Sequence, residues 1–212
     1  MDVVVAGGHG KIGQRLLRLL VARGDRPRGL VRNPDHVADL ERLGAEGVLC
    51  DLEREEDVES HVAGADAIVF SAGAGPGSGA ERKRTMDLGG ALKLIDAARA
   101  AGIARYVMVS AIGAGDPTSG SPTMRPYIEA KAEADGALER SGLDYTIVRP
   151  GRLTDDPGTG RVSAGPDMPR AEVSRDDVAA VLAALLDAPN TIGKTFNLVS
   201  GDTPVEEAVR AL

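Results

Sequence analysis

Short apolar runs alternate with amphipathic stretches along most of the chain. Residues 2–6, 28–32, 47–51, 66–71, 105–110 and 144–149 are brief, with apolar or β-branched centres. That is the pattern of strands buried in a parallel sheet. Helical spacing follows most of them: Leu16, Leu17, Leu19 and Leu20 after the first strand, then residues 35–43, 82–101, 126–141 and 175–187. Residues 53–62 predict a polar helix. Gly24 and Gly44 stop the first two helices, and Asn33-Pro34 ends the second strand. Residues 195–199 add a strand, and a short helix opens at Pro204. Residues 72–80 and 111–124 are glycine-containing loops, and residues 150–172, rich in Pro and Gly, predict an irregular segment.

Repeated strand–helix units predict an α/β fold: a parallel sheet, helices on both faces and right-handed crossovers. At 212 residues, with no long linker, one domain over residues 1–212 is expected. Aromatics make up only 2%, so the core must be aliphatic. A net charge of -7 repels phosphate backbones and excludes nucleic acid as the expected partner. A lone cysteine, Cys50, forms no internal disulfide, suits a reducing compartment and reads as a buried small hydrophobe. No apolar run approaches membrane length, and the chain starts on a core strand without a charged leader. The expectation is a cytoplasmic protein away from membranes, either a monomer or a homodimer.

Candidate chemistry begins where the first strand runs into Gly7-Gly8-His9-Gly10-Lys11-Ile12-Gly13. Gly8, Gly10 and Gly13 match one dinucleotide-binding spelling; Gly7, Gly10 and Gly13 match the wider spacing of short-chain dehydrogenases. Glycine permits the turn, lets the backbone approach a diphosphate and lets the helix pack on the strand. Backbone N–H groups do this work, so the His9 ring matters less than its amide. The expected fold is therefore a Rossmann-type doubly wound sheet, with residues 150–173 as a small substrate-side subregion. Ligands in such sheets lie beyond the C-terminal strand ends.

The second strand ends in Arg32, where NAD-binding units place an acid for the ribose 2′-hydroxyl. A guanidinium there can grip a 2′-phosphate, so NADP is favoured over NAD; a solvated strand-end charge is the other reading. Asp51, followed by Leu52, ends the third strand at the adenine edge. It reads either as acceptor for the adenine amine or as a helix N-cap. Ser71, Ala72 and Gly73 are small enough for the cofactor ribose to lie on their backbone. His36 and His61 read as surface residues, and no cluster has metal-ligand spacing.

Tyr127 and Lys131 lie four residues apart in a predicted helix, hence on one face, and Ser110 ends the fifth strand. These residues, the glycine turn, Asp144-Tyr145-Thr146-Ile147-Val148-Arg149-Pro150-Gly151 and Val173-Ser174-Arg175-Asp176-Asp177-Val178-Ala179 resemble an atypical short-chain dehydrogenase/reductase. The nearer likeness is to NmrA-like proteins and NAD-dependent epimerase/dehydratases, and it spans nearly the whole chain. The resemblance implies that Tyr127 is a general acid/base. It implies that Lys131 bonds the nicotinamide ribose and favours phenolate, and that Ser110 orients the substrate oxygen. Ser110 lies seventeen positions before Tyr127, more than the usual spacing, and Pro126 puts Tyr127 in the first helical turn.

Residues 75–84, 111–124 and 150–172 should wall the substrate pocket. So short a final segment suits a small substrate better than a nucleotide sugar. Arg82, Lys83, Arg84 and Arg152 read as solvated charges or as contacts to an anion. The leading expectation is an NADP(H)-dependent oxidoreductase acting on a small carbonyl, hydroxyl or flavin-like substrate. A non-catalytic NADP(H) sensor and an NAD(P)-dependent epimerase or dehydratase are the alternatives. Ser110, Tyr127 and Lys131 argue against the first of these, and the short C-terminal half against the second.

Overall fold

The computed structural model describes residues 1–75, 77–116, 118 and 121–212. Strand β1 (Asp2–Ala6) carries Val3, Val4 and Val5, all fully buried. Each such valine contributes about 1.5–3 kcal/mol by leaving water, which drives this strand to the middle of the sheet. It pairs in parallel with β2 (Arg26–Val31) on one side and β4 (Ala67–Phe70) on the other. Beyond β2 lies β3 (Glu46–Leu49). Beyond β4 come β5 (Arg105–Val109), β6 (Asp144–Pro150) and β10 (Lys194–Ser200), parallel throughout. The sheet's order reverses between β1 and β4, which makes the ends of those strands the switch point.

Two layers of helix cover the sheet. Helix α1 (Lys11–Arg23) and α7 (Arg175–Leu185) pack Leu16, Leu17, Leu20, Leu182 and Leu185 against Val3 and Val5. On the opposite face α5 (Ala91–Ala100) and α6 (Arg125–Glu139) bring Leu94 and Leu138 to Val4, Ile68, Phe70 and Met108. The alternation along β1 thus feeds both cores, as a doubly wound sheet requires. Helices α2 (Asp35–Glu41), α3 (Glu59–Val62) and α8 (Val205–Ala211) are short additions. Among the described residues, no helix is long and apolar enough to cross a membrane.

Three elements differ from the sequence expectation. Residues 150–172 are not irregular: β7 (Arg152–Thr154) pairs in parallel with β9 (Glu172–Ser174), and β8 (Arg161–Gly165) joins the main sheet. β8 runs antiparallel to β10 and carries β11 (Thr203–Pro204) at the edge. Strands this short show no readable alternation, and pairing with distant partners forms them. The polar helix expected over 53–62 shrinks to α3. Asp51 Oδ1 accepts from the Glu53 amide at 3.0 Å, which offers the backbone a local alternative to helix, and Asp57 Oδ1 accepts from the Ser60 amide at 3.2 Å in the i to i+3 pattern of a cap, so helix starts only there. The long helix expected over 82–101 is continuous but composite. Helix α4 (Ala80–Arg82) passes into a π-helical stretch, Lys83–Gly90, and then into α5. Pro76, Pro117, Ser119 and Gly120, in two of the expected pocket-walling loops, lie outside the described residues.

Candidate functional site

The glycine turn sits at the end of β1, pressed against the end of β4. Gly7 has φ +79°, and a Cβ there would come within 2.8 Å of the Ala72 Cα. Ser71 Oγ donates to the Ala6 carbonyl at 2.9 Å, tying the two strand ends together. A Cβ at Gly13 would stand 2.2 Å from the Gly7 carbonyl oxygen, which itself holds the Gly10 amide at 2.8 Å. Only glycine fits at position 13. Helix α1 begins with Gln14 N–H bonding the Gly10 carbonyl at 2.9 Å, without a side-chain cap or an acid in its first turn. The amides at Lys11, Ile12 and Gly13 therefore precede the first helical bond, at the positive end of the dipole. A cradle cleared of Cβ atoms and lined by such amides suits a diphosphate.

Around the cradle, the His9 ring stacks on His36 with centroids 3.5 Å apart, and His9 Nε2 meets Asp39 Oδ2 at 2.8 Å. Lys11 Nζ donates to Asp155 Oδ2 at 2.5 Å, and Arg175 reaches the same carboxylate at 2.9 Å. These cations hold the Asp155 carboxyl below the usual range and strap the segment after β7 to the start of α1. Ile12 is buried beneath. Arg32 is exposed at the end of β2, 3.5 Å from Glu53 Oε2. Glu53 also takes Arg82 at 3.1 Å and Thr85 at 2.7 Å. Asp51 caps a turn rather than a helix, and Leu52 is buried against Gly90. Arg84 pairs with Glu133 at 3.8 Å, and Arg152 with Glu172.

The fold brings Ser110, Tyr127 and Lys131 to the C-terminal ends of β4 and β5. Lys131 is only 3% exposed. Its Nζ donates to the Val109 carbonyl at 3.2 Å, next to Ser110, and lies 5.9 Å from the Tyr127 ring centroid and 5.5 Å from that of Phe70. Burial pushes the Tyr127 phenol above its ordinary value. Lys131 pulls it back down, while Asp87 and Asp135 push further up. The protein's own groups thus favour phenol over phenolate.

Two acids that the sequence reading did not single out complete this cluster. Asp87, 1% exposed, stands 3.4 Å from Lys131 Nζ, and its other oxygen accepts from the Ala74 amide at 3.1 Å. Gly73 makes room for it: a Cβ there would sit 2.9 Å from Asp87 Oδ1. Asp135, also 1% exposed, accepts from Ser110 Oγ and from Arg149 Nε, both at 2.9 Å. Burial still holds the Asp135 carboxyl above the usual carboxylate range, with Ser110 and Arg149 opposing. Signals for both were present. Asp135 is four residues beyond Lys131 on the face that carries Tyr127. Asp87 lies in register with Ala91, Leu94, Ile95 and Ala98, a carboxylate on an apolar stripe.

At the edge beyond β2, Cys50, Glu55 and His61 come together although their spacing suggests nothing. His61 Nε2 meets Glu55 Oε2 at 2.6 Å. Burial, with Glu55 and Asp51 nearby, pushes the Cys50 thiol up to about 12.

Comparison with known proteins agrees with this geometry. A family described as NAD(P)H-binding matches residues 7–189. The chain is 46% identical to a Bacillus subtilis protein named "Uncharacterized sugar epimerase YhfK", with 100% of both chains covered. A solved structure, a putative NAD-dependent epimerase/dehydratase from Bacillus halodurans, superposes with a TM-score of 0.95 at 44% identity over 100% of both chains. ChuY from Escherichia coli O157:H7, described as an anaerobillin reductase, superposes with a TM-score of 0.81 at 28% identity, covering 95% of this chain and 98% of that one. A glycine cradle at the switch point and matches of this extent have one meaning: the chain belongs to the NAD(P)H-binding family.

Proposed function

We propose that this protein is an NADP(H)-dependent oxidoreductase that acts on a small carbonyl, hydroxyl or flavin-like substrate. The observation that carries the reading is Lys131, buried beside the Tyr127 ring and bonded to the backbone next to Ser110. Cofactor holding alone accounts for the ammonium but not for the phenol beside it, and the pair together supports proton transfer. When bound, the nicotinamide supplies the hydride chemistry. The chain's own part is to hold the diphosphate at residues 7–13 and to lay the ribose along Ser71, Ala72 and Gly73. Arg32 offers its exposed guanidinium to a 2′-phosphate, with Asp51 and Leu52 on the adenine side. β2 itself ends without an acid, and Arg32 would turn from Glu53, 3.5 Å away, to meet the phosphate.

Tyr127 gives or takes the substrate proton at its phenolic oxygen, and Lys131 offsets the penalty that burial places on phenolate. Ser110 donates its one hydroxyl hydrogen bond to Asp135. Its oxygen is thereby left as an acceptor. Substrates that present an O–H or N–H donor beside the reacting carbon fit this serine better than bare ketones do. That ChuY is described as a reductase supports chemistry in this direction.

NADPH oxidation, followed by nicotinamide absorbance across small ketones, aldehydes, hydroxyketones and free flavins, tests the proposal. Tyr127→Phe should lower kcat by about 10²–10⁴ and leave NADPH affinity nearly unchanged. Undiminished turnover in that variant overturns the catalytic assignment. A wild-type protein that binds NADPH and consumes none of it with any acceptor overturns the oxidoreductase reading.

A further inference from the structure

The cluster at Cys50, Glu55 and His61 lies outside the cofactor cradle, and the proposed chemistry makes no use of it. The Cys50 sulfur, one Glu55 carboxylate oxygen and one His61 ring nitrogen all lie within 4.8 Å of one another. The three come from one short stretch that turns back on itself at the end of β3. Its framework is anchored from both sides. Lys93, on α5, donates to the Glu53 and Glu55 carbonyls at 3.4 and 2.8 Å. Arg28, on β2, donates to the carbonyls of His61, Val62 and Ala63 at 3.3, 3.5 and 3.0 Å. Glu55 is oriented by the Asp51 amide on its other oxygen at 2.9 Å. Cys50 is 3% exposed among the apolar residues Leu52, Val58 and Val62, while Glu55 and His61 are half-buried and open a path to solvent.

We propose that Cys50, Glu55 and His61 form a binding site for a divalent cation of the zinc class, with a fourth position left to water. One sulfur, one imidazole nitrogen and one carboxylate oxygen are a borderline-soft donor set. It suits Zn²⁺ and disfavours the hard cations Mg²⁺ and Ca²⁺. Tetrahedral coordination draws such donors to about 3.3–3.7 Å from one another. The Glu55–His61 contact, 2.6 Å here, therefore opens, and the sulfur, already within 4.8 Å of both, closes on the ion. The metal displaces the thiol proton as it binds. The ion clamps the loop after β3 to α3, and that loop carries Glu53, the partner of Arg32 and Arg82.

The test is titration of EDTA-treated full-length protein with Co²⁺ and Zn²⁺. A single Co²⁺ should bind with a thiolate-to-cobalt charge-transfer band and intense tetrahedral d–d bands, and one equivalent of Zn²⁺ should displace it. Cys50→Ser should abolish the charge-transfer band. His61→Gln, at a half-buried site that tolerates change, should keep the band but weaken affinity by more than the ~10–100-fold that loss of an outer-shell partner brings. No charge-transfer band in the wild type, or equal affinity in wild type and His61→Gln, overturns the site. NADPH titration of the same samples keeps the two proposals apart: protein that binds NADPH but shows no cobalt spectrum loses the metal site alone.

Discussion

Replacing Asp87 by Asn probes the buried charge at the centre of the site. Asp87 and Lys131 face each other at 3.4 Å, with side chains 1% and 4% exposed. At an effective dielectric of about 20, the attraction at that distance is about 5 kcal/mol. Asn keeps the shape and can still accept from the Ala74 amide, so packing barely changes. What is lost is the charge opposite a buried ammonium, which keeps the Val109 carbonyl and the Phe70 and Tyr127 rings. Breaking a buried pair from one side costs about 3–5 kcal/mol. That is a large part of the ~5–15 kcal/mol that holds a typical domain together. Urea unfolding followed by far-UV circular dichroism should show this loss as a lower midpoint at unchanged slope. Lys131→Met should cost a similar amount by stranding the Asp87 carboxylate. The double variant, with neither charge, should regain most of it, since an apolar replacement of a buried pair is often neutral. A loss below about 1 kcal/mol in Asp87→Asn, or strict additivity in the double variant, would refute the idea that this pair is coupled.

Other expectations follow from single distances and directions. Gly13→Ala gains about 1 kcal/mol of helix propensity but drives a Cβ to 2.2 Å from the Gly7 carbonyl. The turn must open, so NADPH affinity should fall at least about tenfold and stability by about 1–2 kcal/mol, read by fluorescence titration and urea melts. Arg32→Ala should weaken NADPH by about 10–100-fold, as expected for charged hydrogen bonds of about 1.5–3 kcal/mol, and leave NADH unchanged in the same titration. Asp135, its folded-state pKa raised by burial, favours folding most in acid, and that contribution is lost as pH rises through the raised value. The stability of wild type relative to Asp135→Asn should therefore decline from acid to neutral pH in melts taken across that range.

Much of the site was written locally. Strand, glycine turn and helix at residues 2–23 are consecutive, and Gly10 and Gly13 answer to Gly7 a few residues away, whereas Gly7 and Gly8 are crowded by the distant Ala72 and Gly29. Tyr127 and Lys131 share a helix face by spacing alone, which extends to Asp135. The polar helix expected over 53–62 shortened because Asp51 bonds the Glu53 amide in a turn and Asp57 caps the chain only at Ser60, and helical periodicity registers neither.

The sequence by itself determined the order of the parallel strands and the larger helices between them, the glycine turn and the face that carries Tyr127 and Lys131, because these depend on spacing within one element or one turn. The tertiary structure alone decided what these residues meet. Asp87 reaches Lys131, and Arg149 reaches Asp135, only after the π-helical stretch, α6 and β6 are stacked in the sheet's own order. Strands β7, β8 and β9 exist only as partners of one another or of β10. Cys50, Glu55 and His61 become neighbours only when Lys93 and Arg28 pin the loop between them. A contact between distant residues is set by how the layers pack, and no local pattern of apolar and polar positions encodes it.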